Sequence, residues 1–204
     1  QGTAVNSLYF ADANFGMFGK RDVEIAHFMN YTREKYNFPH KVFAAWAKNK
    51  SDYTVEIAEI LKEIAPVTVA FQSMEPTVLK QIKRGNMKVK HFDKMQKHFF
   101  DKGVRSNAEL IVGLPGETKE THLKALSSLL ESSDCDITTY NTMLLKGSEM
   151  HLEHLKNNAS KVQTSWRLLD NAFGEYGDIK CIETEQIVTG NKTMTREDIL
   201  YFRP

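Results

Sequence analysis

The segment Asn107-Ala108-Glu109-Leu110-Ile111-Val112-Gly113-Leu114-Pro115-Gly116-Glu117-Thr118 constrains this chain more than any other. It reads as a buried strand that breaks into a Gly-Pro-Gly turn and then a helix. The apolar run Leu110–Val112 suits a strand covered on both faces, as in a parallel sheet. Gly113 and Gly116 lack a Cβ, so backbone there approaches a ligand closely or takes positive φ at low steric cost. Thr118 is placed to cap the following helix, whose free N–H groups and positive dipole end face outward. An α/β protein puts its ligand site at a strand end of this kind.

A second segment repeats the plan: Val67-Thr68-Val69-Ala70-Phe71-Gln72-Ser73-Met74-Glu75-Pro76-Thr77-Val78-Leu79-Lys80-Gln81-Ile82-Lys83-Arg84-Gly85-Asn86. It is strand, polar turn and helix, with Pro76 suited to the first helical turn. The alternation extends along the chain. Ser7–Asp12 reads as a strand, and Arg21–Tyr36 as a helix with Val23, Ala26, Met29 and Arg33 at helical spacing. Lys41–Ala47 is a strand, followed by a helix over Tyr53–Ile64 with Ala58, Leu61 and Ile64 on one face. Val67–Gln72 and Pro76–Lys83 follow, then a helix marked by Phe92, Met95 and Phe99. Asn107–Gly113 is a strand. Thr118–Glu131 is a helix with Leu123, Leu126 and Leu130 inward, and Asp136–Leu145 has strand character. This order predicts βαβ units with right-handed crossovers and a parallel sheet, an α/β fold.

The tail departs from the repeat. Val162, Trp166, Leu169 and Phe173 form an apolar stripe read as core packing on a helix, with Gly174 at a C-cap position. Asp178–Thr189 reads as extended, Gly190-Asn191 as a turn, and Thr195 with Asp198 as a capping pair for a last helix to Tyr201. Residues 148–204 therefore form a C-terminal α+β accessory extension to a domain over 1–147.

Composition excludes several classes. With 204 residues the chain buries a sizeable core in one domain plus an appendage. A net charge of +1 gives no basic field for nucleic acid. The apolar runs fall short of a membrane span. Two cysteines without motif spacing point to a reducing compartment, and so to the cytoplasm.

Together the two segments resemble the radical S-adenosylmethionine (SAM) superfamily. There a strand ending in Gln-Ser leads to x-x-Leu-Lys-x-Ile-x-Arg-Gly, and a later strand carries Leu-Ile-x-Gly-Leu-Pro-Gly-Glu-Thr. Asp12-Ala13-Asn14-Phe15-Gly16 and Ala47-Lys48-Asn49 further resemble its cobalamin-associated branch. The resemblance runs from Leu8 to Gly147. It implies a partial (β/α) barrel of parallel strands, of which this chain holds strands two to six of a six-stranded core. It also implies SAM cleavage at a 4Fe–4S cluster for radical chemistry, an external electron donor and a small-molecule substrate of unknown identity. The branch adds cobalamin, carried by a separate upstream domain, and methyl transfer.

The superfamily's Cys-x-x-x-Cys-x-x-Cys motif is missing. Cys135 and Cys181 lie far apart and downstream, and three thiolate ligands cannot come from two residues. The expectation is a fragment of the enzyme, inactive alone, whose partner is the missing N-terminal part of the same protein. Its first visible strand would then leave an open edge near Leu8–Phe10 that invites self-association and weakens SAM binding. A cluster-free barrel acting as a binding or scaffold domain is the alternative, and a fragment of an ordinary eight-stranded (β/α) barrel a third reading.

SAM presents an ammonium, a carboxylate, a sulfonium and a ribose diol. Gln72 offers both acceptor and donors. Arg84 is long enough to return toward the strand end and meet a carboxylate bidentately. Glu109 is a carboxylate on an otherwise apolar strand, costly to bury without a partner. The resemblance implies that Gln72, Arg84 and Glu109 touch SAM beside Gly113; an Arg84–Glu109 ion pair is the structural alternative. Where many members carry a glutamate after the third strand, this chain has no acid, which shifts that contact to Lys48 or Asn49. Asp12, Asn14 and Tyr140 are candidate substrate contacts, with turn fixing the bland reading for the first two. His151 and His154 lack a His-Glu-x-x-His pattern and read as a solvated helix face, and no metal ligand is assigned.

Overall fold

The fold is described by a computed structural model over residues 5–47, 51–85, 89–132 and 135–202. Strand and helix alternate as β1 (Ser7–Tyr9), α1 (Lys20–Tyr36), β2 (Lys41–Phe43), α2 (Ser51–Ile60), β3 (Val67–Gln72), α3 (Pro76–Gln81), α4 (Val89–Lys102), β4 (Ser106–Val112), α5 (Lys119–Ser132) and β5 (Asp136–Asn141). There follow α6 (Glu149–Lys156), β6 (Gln163–Tyr176), β7 (Ile179–Gly190) and α7 (Arg196–Tyr201). A strand stands in each of the five segments where the sequence predicts one, but the five do not form one continuous sheet.

They form two ladders. β1 and β2 pair in parallel with Leu8 opposite Val42, and β3, β4 and β5 adjoin in that order in a second sheet. The break at β2 has a local cause. The Val42 N–H donates to the Ile64 carbonyl at 2.8 Å, and the Trp46 indole N–H to the Pro66 carbonyl at 3.0 Å. Single bonds thus join β2 to the approach to β3 where a ladder was expected. On β1, Tyr9 is 80% exposed, while the Phe10 ring packs against Phe15 with centroids 4.6 Å apart.

The chain divides into two compact units. One comprises residues 1–71, 87–109 and 128–138; the other comprises 72–86, 110–127 and 139–204. In the first, Val23, Ala26 and Met29 of α1 and Ile57 and Ala58 of α2 are buried, as helical spacing predicts. Phe92, Met95 and Phe99 of α4 are buried too. In the second, Val112, Val162, Val188, Met194 and Ile199 make one apolar cluster with Met150 and Phe202 against it. Among the described residues no helix is long and apolar enough to cross a membrane.

Two expectations are overturned. The buried stripe of α5 is His122, Ala125 and Leu129, whereas Leu123 and Leu130 are exposed. Leucine counting failed because a polar partner for His122 exists elsewhere in the fold. The stretch from Val162 to Gly174 is no helix: β6 pairs antiparallel with β7, Trp166 opposite Gln186 and Phe173 opposite Ile182. Outside a register shift between Leu168 and Phe173, the ladder offers its residues cross-strand neighbours that a lone helix would lack, and Gly177 at φ 64 closes the connecting turn. Gly174 is therefore a strand residue opposite Cys181, and Trp166 and Phe173 lie outside the core. The last helix is as expected: the Thr195 hydroxyl accepts from Asp198 N–H at 3.2 Å, and the Asp198 carboxylate accepts from Thr195 N–H at 2.9 Å.

Candidate functional site

Alternation sorts the strand residues into two series. On β3, Val67, Val69 and Phe71 are buried while Thr68, Ala70 and Gln72 are half-buried. On β4, Ser106, Ala108, Leu110 and Val112 are buried, and Asn107, Glu109 and Ile111 are half-buried. Helix α4 meets members of the buried series within its own unit: Phe71 meets Phe92 edge-on with centroids 4.6 Å apart, and the Ser106 hydroxyl donates to the Gln96 side-chain amide oxygen. The polar series therefore faces away from α4. On that side the Thr138 hydroxyl of β5 donates to the Asn107 amide oxygen at 3.1 Å. Gln72, Glu109 and Tyr140 each continue the polar series of their own strand.

Gln72 ends β3 at φ 62, a left-handed conformation rare outside glycine and asparagine. Such a residue costs about 1–3 kcal/mol and persists only where its surroundings hold it. The next residue shows what holds it. Ser73 is fully buried and donates to Glu117 Oε1 at 2.8 Å, while its Oγ accepts from Glu75 N–H at 3.2 Å. Glu117 and His122 are also fully buried, with Glu117 Oε2 and His122 Nδ1 at 3.2 Å. Those atoms are close but lack hydrogen-bond alignment. The far side of the His122 ring meets Phe202 edge-on at 4.5 Å.

The glycine turn is as tight as its sequence implies. Gly113 has φ 87, and a Cβ there would lie 3.2 Å from Ile199 Cδ1. Gly116 has φ 86, and its Cβ would meet Gln81 Oε1 at 2.6 Å. Helix α5 starts behind it with Thr118 Oγ1 accepting from Thr121 N–H at 3.2 Å, the expected cap. Asn191 reaches the turn from the C-terminal segment, donating to the Gly113 carbonyl at 2.9 Å.

The other candidates are placed as follows. Arg84 is exposed, on the turn after α3, where its N–H bonds the Leu79 carbonyl at 2.8 Å. Tyr140 is half exposed on β5. Asp12 accepts from Asn14 N–H at 2.8 Å and stands 3.9 Å from Arg21, so it closes its own turn. Lys48 and Asn49 lie outside the described residues. His151 lies in the capped first turn of α6, and the described residues hold no cluster of His, Cys, Asp and Glu fit for a metal. A cleft of about 280 Å³ opens at the N-terminal ends of β4 and β5, lined by Gln96, Arg105, Ser106 and Asp136, and includes none of the candidates. Sequence reading missed the buried Ser73–Glu117–His122 set and Asn191. The one legible signal was Glu117, a carboxylate inside a Gly-rich turn.

No family model matches the chain. It is 30% identical over 151 residues to the cobalamin-dependent radical SAM methyltransferase TokK of Streptomyces tokunonensis, covering 72% of this chain and 22% of that protein. Identity and coverage are the same for a 2-(S-pantetheinyl)-carbapenam-3-carboxylate methyltransferase of Streptantibioticus cattleyicolor. The chain thus spans about a fifth of the length of the curated relatives it matches. Among solved structures, the radical SAM methyltransferase TsrM of Kitasatospora setae, with cobalamin and a [4Fe-4S] cluster bound, superposes with a TM-score of 0.54 at 15% identity. That match covers 78% of this chain and 31% of TsrM, and it shows a shared fold. One of these relatives is thus a cobalamin-dependent radical SAM methyltransferase and the other a methyltransferase, and the radical SAM superfamily, in its cobalamin-associated branch, is the family to which the chain's sequence ties it.

Proposed function

We propose that this chain supplies part of the SAM site of a radical SAM methyltransferase, cobalamin-dependent like its relative TokK. Gln72, Glu109, Arg84 and Gly113 serve as SAM contacts, and Lys48 or Asn49 takes the place of the absent acid. The observation that carries the reading is Gln72 held at φ 62 at a strand end, beside a Gly-Leu-Pro-Gly-Glu turn shared with the superfamily. Strain of this kind is kept where a side chain must point one way.

The residue types suit SAM and do not suit the cluster. A 4Fe–4S site needs three thiolates, and the chain has Cys135 and Cys181 alone. The cluster and the cobalamin therefore belong, in this reading, to other parts of the protein, and an electron donor is external. SAM, when bound, supplies a sulfonium whose methyl or carbon–sulfur bond is the reactive group. The chain's own residues bind and orient it. The Gln72 amide offers one acceptor and two donors at a fixed angle. Glu109 accepts from an ammonium, and Arg84 pairs with a carboxylate. Gly113 admits the ligand to its backbone. Tyr140, with Asp12 and Asn14, is assigned to the substrate.

Calorimetric titration with SAM tests the assignment. Gln72→Ala and Glu109→Gln are each expected to weaken binding at least about tenfold, the loss of a hydrogen bond to a charged or polar ligand group. Unchanged affinity in both variants would remove the proposal.

A further inference from the structure

The C-terminal segment after β7 has no part in the reading above, yet it meets the glycine turn at every point where that turn leaves its strand. Asn191 Nδ2 donates to the Gly113 carbonyl at 2.9 Å and approaches the Leu114 carbonyl at 3.4 Å. Its Oδ1 accepts from Thr193 N–H at 2.9 Å and Met194 N–H at 3.0 Å, which closes the loop into α7. One side chain thus has two separable jobs: the acceptor folds its own loop, and the donor grips the turn. The capped helix α7 then lays Ile199 over Gly113, in the space a Cβ would need. Lys119 Nζ sits 3.9 Å above the Tyr201 ring, and Phe202 presses on His122, which faces Glu117, which accepts from Ser73. Ser73 adjoins the strained Gln72. Glu117 and His122 are fully buried, so neither can be satisfied by bulk water.

We propose that Asn191 is a positioning residue for the ligand-binding turn: its amide donor fixes the Gly113 and Leu114 carbonyls, and with α7 it makes the accessory segment the clamp of the Gly113–Glu117 turn. The ligand meant here is SAM, so the functional half rests on the proposed function. The structural half stands without it. A carbonyl held at 2.9 Å resists rotation of its peptide plane, which favours one orientation of the peptide after Gly113, while the Leu114 carbonyl also accepts from Glu117 N–H at 3.1 Å. The adjacent N–H groups, which present the turn to a ligand, are thereby aimed before binding.

Asn191→Asp separates the two jobs, because it keeps the acceptor for Thr193 and Met194 and removes the donor. Asn191→Ala removes both. In the wild-type chain, the carbonyl carbon resonance of Gly113 should carry the signature of hydrogen bonding, and the amides of Gly113, Leu114, Gly116 and Glu117 should exchange slowly. Asn191→Asp is expected to lose that signature and to exchange at least about tenfold faster across the turn, with unchanged exchange on β1 and β2 and an intact α7. SAM affinity should fall in parallel, with Gln72→Ala as the reference for a direct contact. Wild-type carbonyl shifts and exchange rates in Asn191→Asp would overturn the clamp. A clamp lost without change in SAM affinity would overturn its positioning role. Failure of the wild-type chain to bind SAM would count against the proposed function, while the carbonyl and exchange data would still decide the clamp.

Discussion

Around the Gly113–Glu117 turn, Ser73, Glu117 and His122 are fully buried against one another, whereas along the β6–β7 ribbon Trp166, Leu168, Phe173 and Ile182 are each at least 66% exposed. Both regions belong to the same compact unit. The turn buries polar groups, whose burial is costly, while the ribbon leaves apolar side chains exposed, whose burial would stabilise. Trp166, Leu168, Phe173 and Ile182 share one face of the ribbon, since their partners across the ladder are Gln186, Thr184 and, for Phe173, Ile182 itself. The contrast teaches that local packing was not the sole pressure on either region. A buried carboxylate kept beside a strained strand end marks a place where shape is fixed at a cost in stability.

The comparison breaks most readily at Glu117. Glu117→Ala takes the acceptor from a buried Ser73 hydroxyl and opens a space beside a fully buried His122, and should cost about 3 kcal/mol in denaturant unfolding. A loss under about 1 kcal/mol would mean the set is not under strain of burial. Gly116→Ala comes next: a positive φ and a Cβ within 2.6 Å of Gln81 Oε1 should together cost about 1–3 kcal/mol, eased in part by rotation of the Gln81 side chain. Thr195→Ala, which removes the cap of α7, is expected to cost about 1 kcal/mol. On the ribbon, Trp166→Ser should change stability by no more than about 0.5 kcal/mol, as exposed positions do. A large loss there would show that the ribbon face is covered in solution.

Acid sharpens the same contrast. Hydrogen bonds from the Thr195 backbone and hydroxyl, with Lys119 nearby, hold the Asp198 carboxyl below its ordinary value. A carboxyl depressed in the folded state stabilises above its unfolded pKa, and that contribution disappears as pH falls through the folded value. Acid melting should therefore loosen α7 first, and Asp198→Asn should flatten that part of the pH profile. Equal acid sensitivity in the wild type and Asp198→Asn, followed by the Tyr201 signal, would refute it.

Much of this architecture was legible in the chain because local chemistry dictated it. Pro76 at the start of α3, Thr118 before α5, and the Thr195–Asp198 box each act within one turn of helix, so sequence alone placed them. The buried faces of α1, α2 and α4 followed from spacing. The faults lay where long-range partners decide. His122 is buried on α5 because Glu117 and Phe202 wait for it, and no periodicity of leucines carries that information. Trp166 and Phe173 are spaced for a helix face, yet β7 claims the segment as a ladder. At the site, Gln72 and Gly113 were marked by their motif, but the φ of Gln72 and the grip of Asn191, 78 positions from Gly113, were not. Asp12 was read as a substrate contact with turn fixing as its rival; one carboxylate oxygen accepts from Asn14 N–H, and the substrate role stands as a proposal.

The central claim is that the polar strand ends of β3 and β4 and the turn after β4 receive SAM. Its most direct test is a titration of the isotope-labelled chain with SAM, followed at backbone amide and glutamine side-chain resonances. Saturable shifts are predicted at Gln72, at Glu109 and at the amides of Gly113, Leu114, Gly116 and Glu117, all reached only at higher SAM concentration in Gln72→Ala, with β6 and β7 unmoved. Shifts confined to the ribbon or to the cleft around Gln96 and Arg105, or no shifts at saturating SAM, would contradict it.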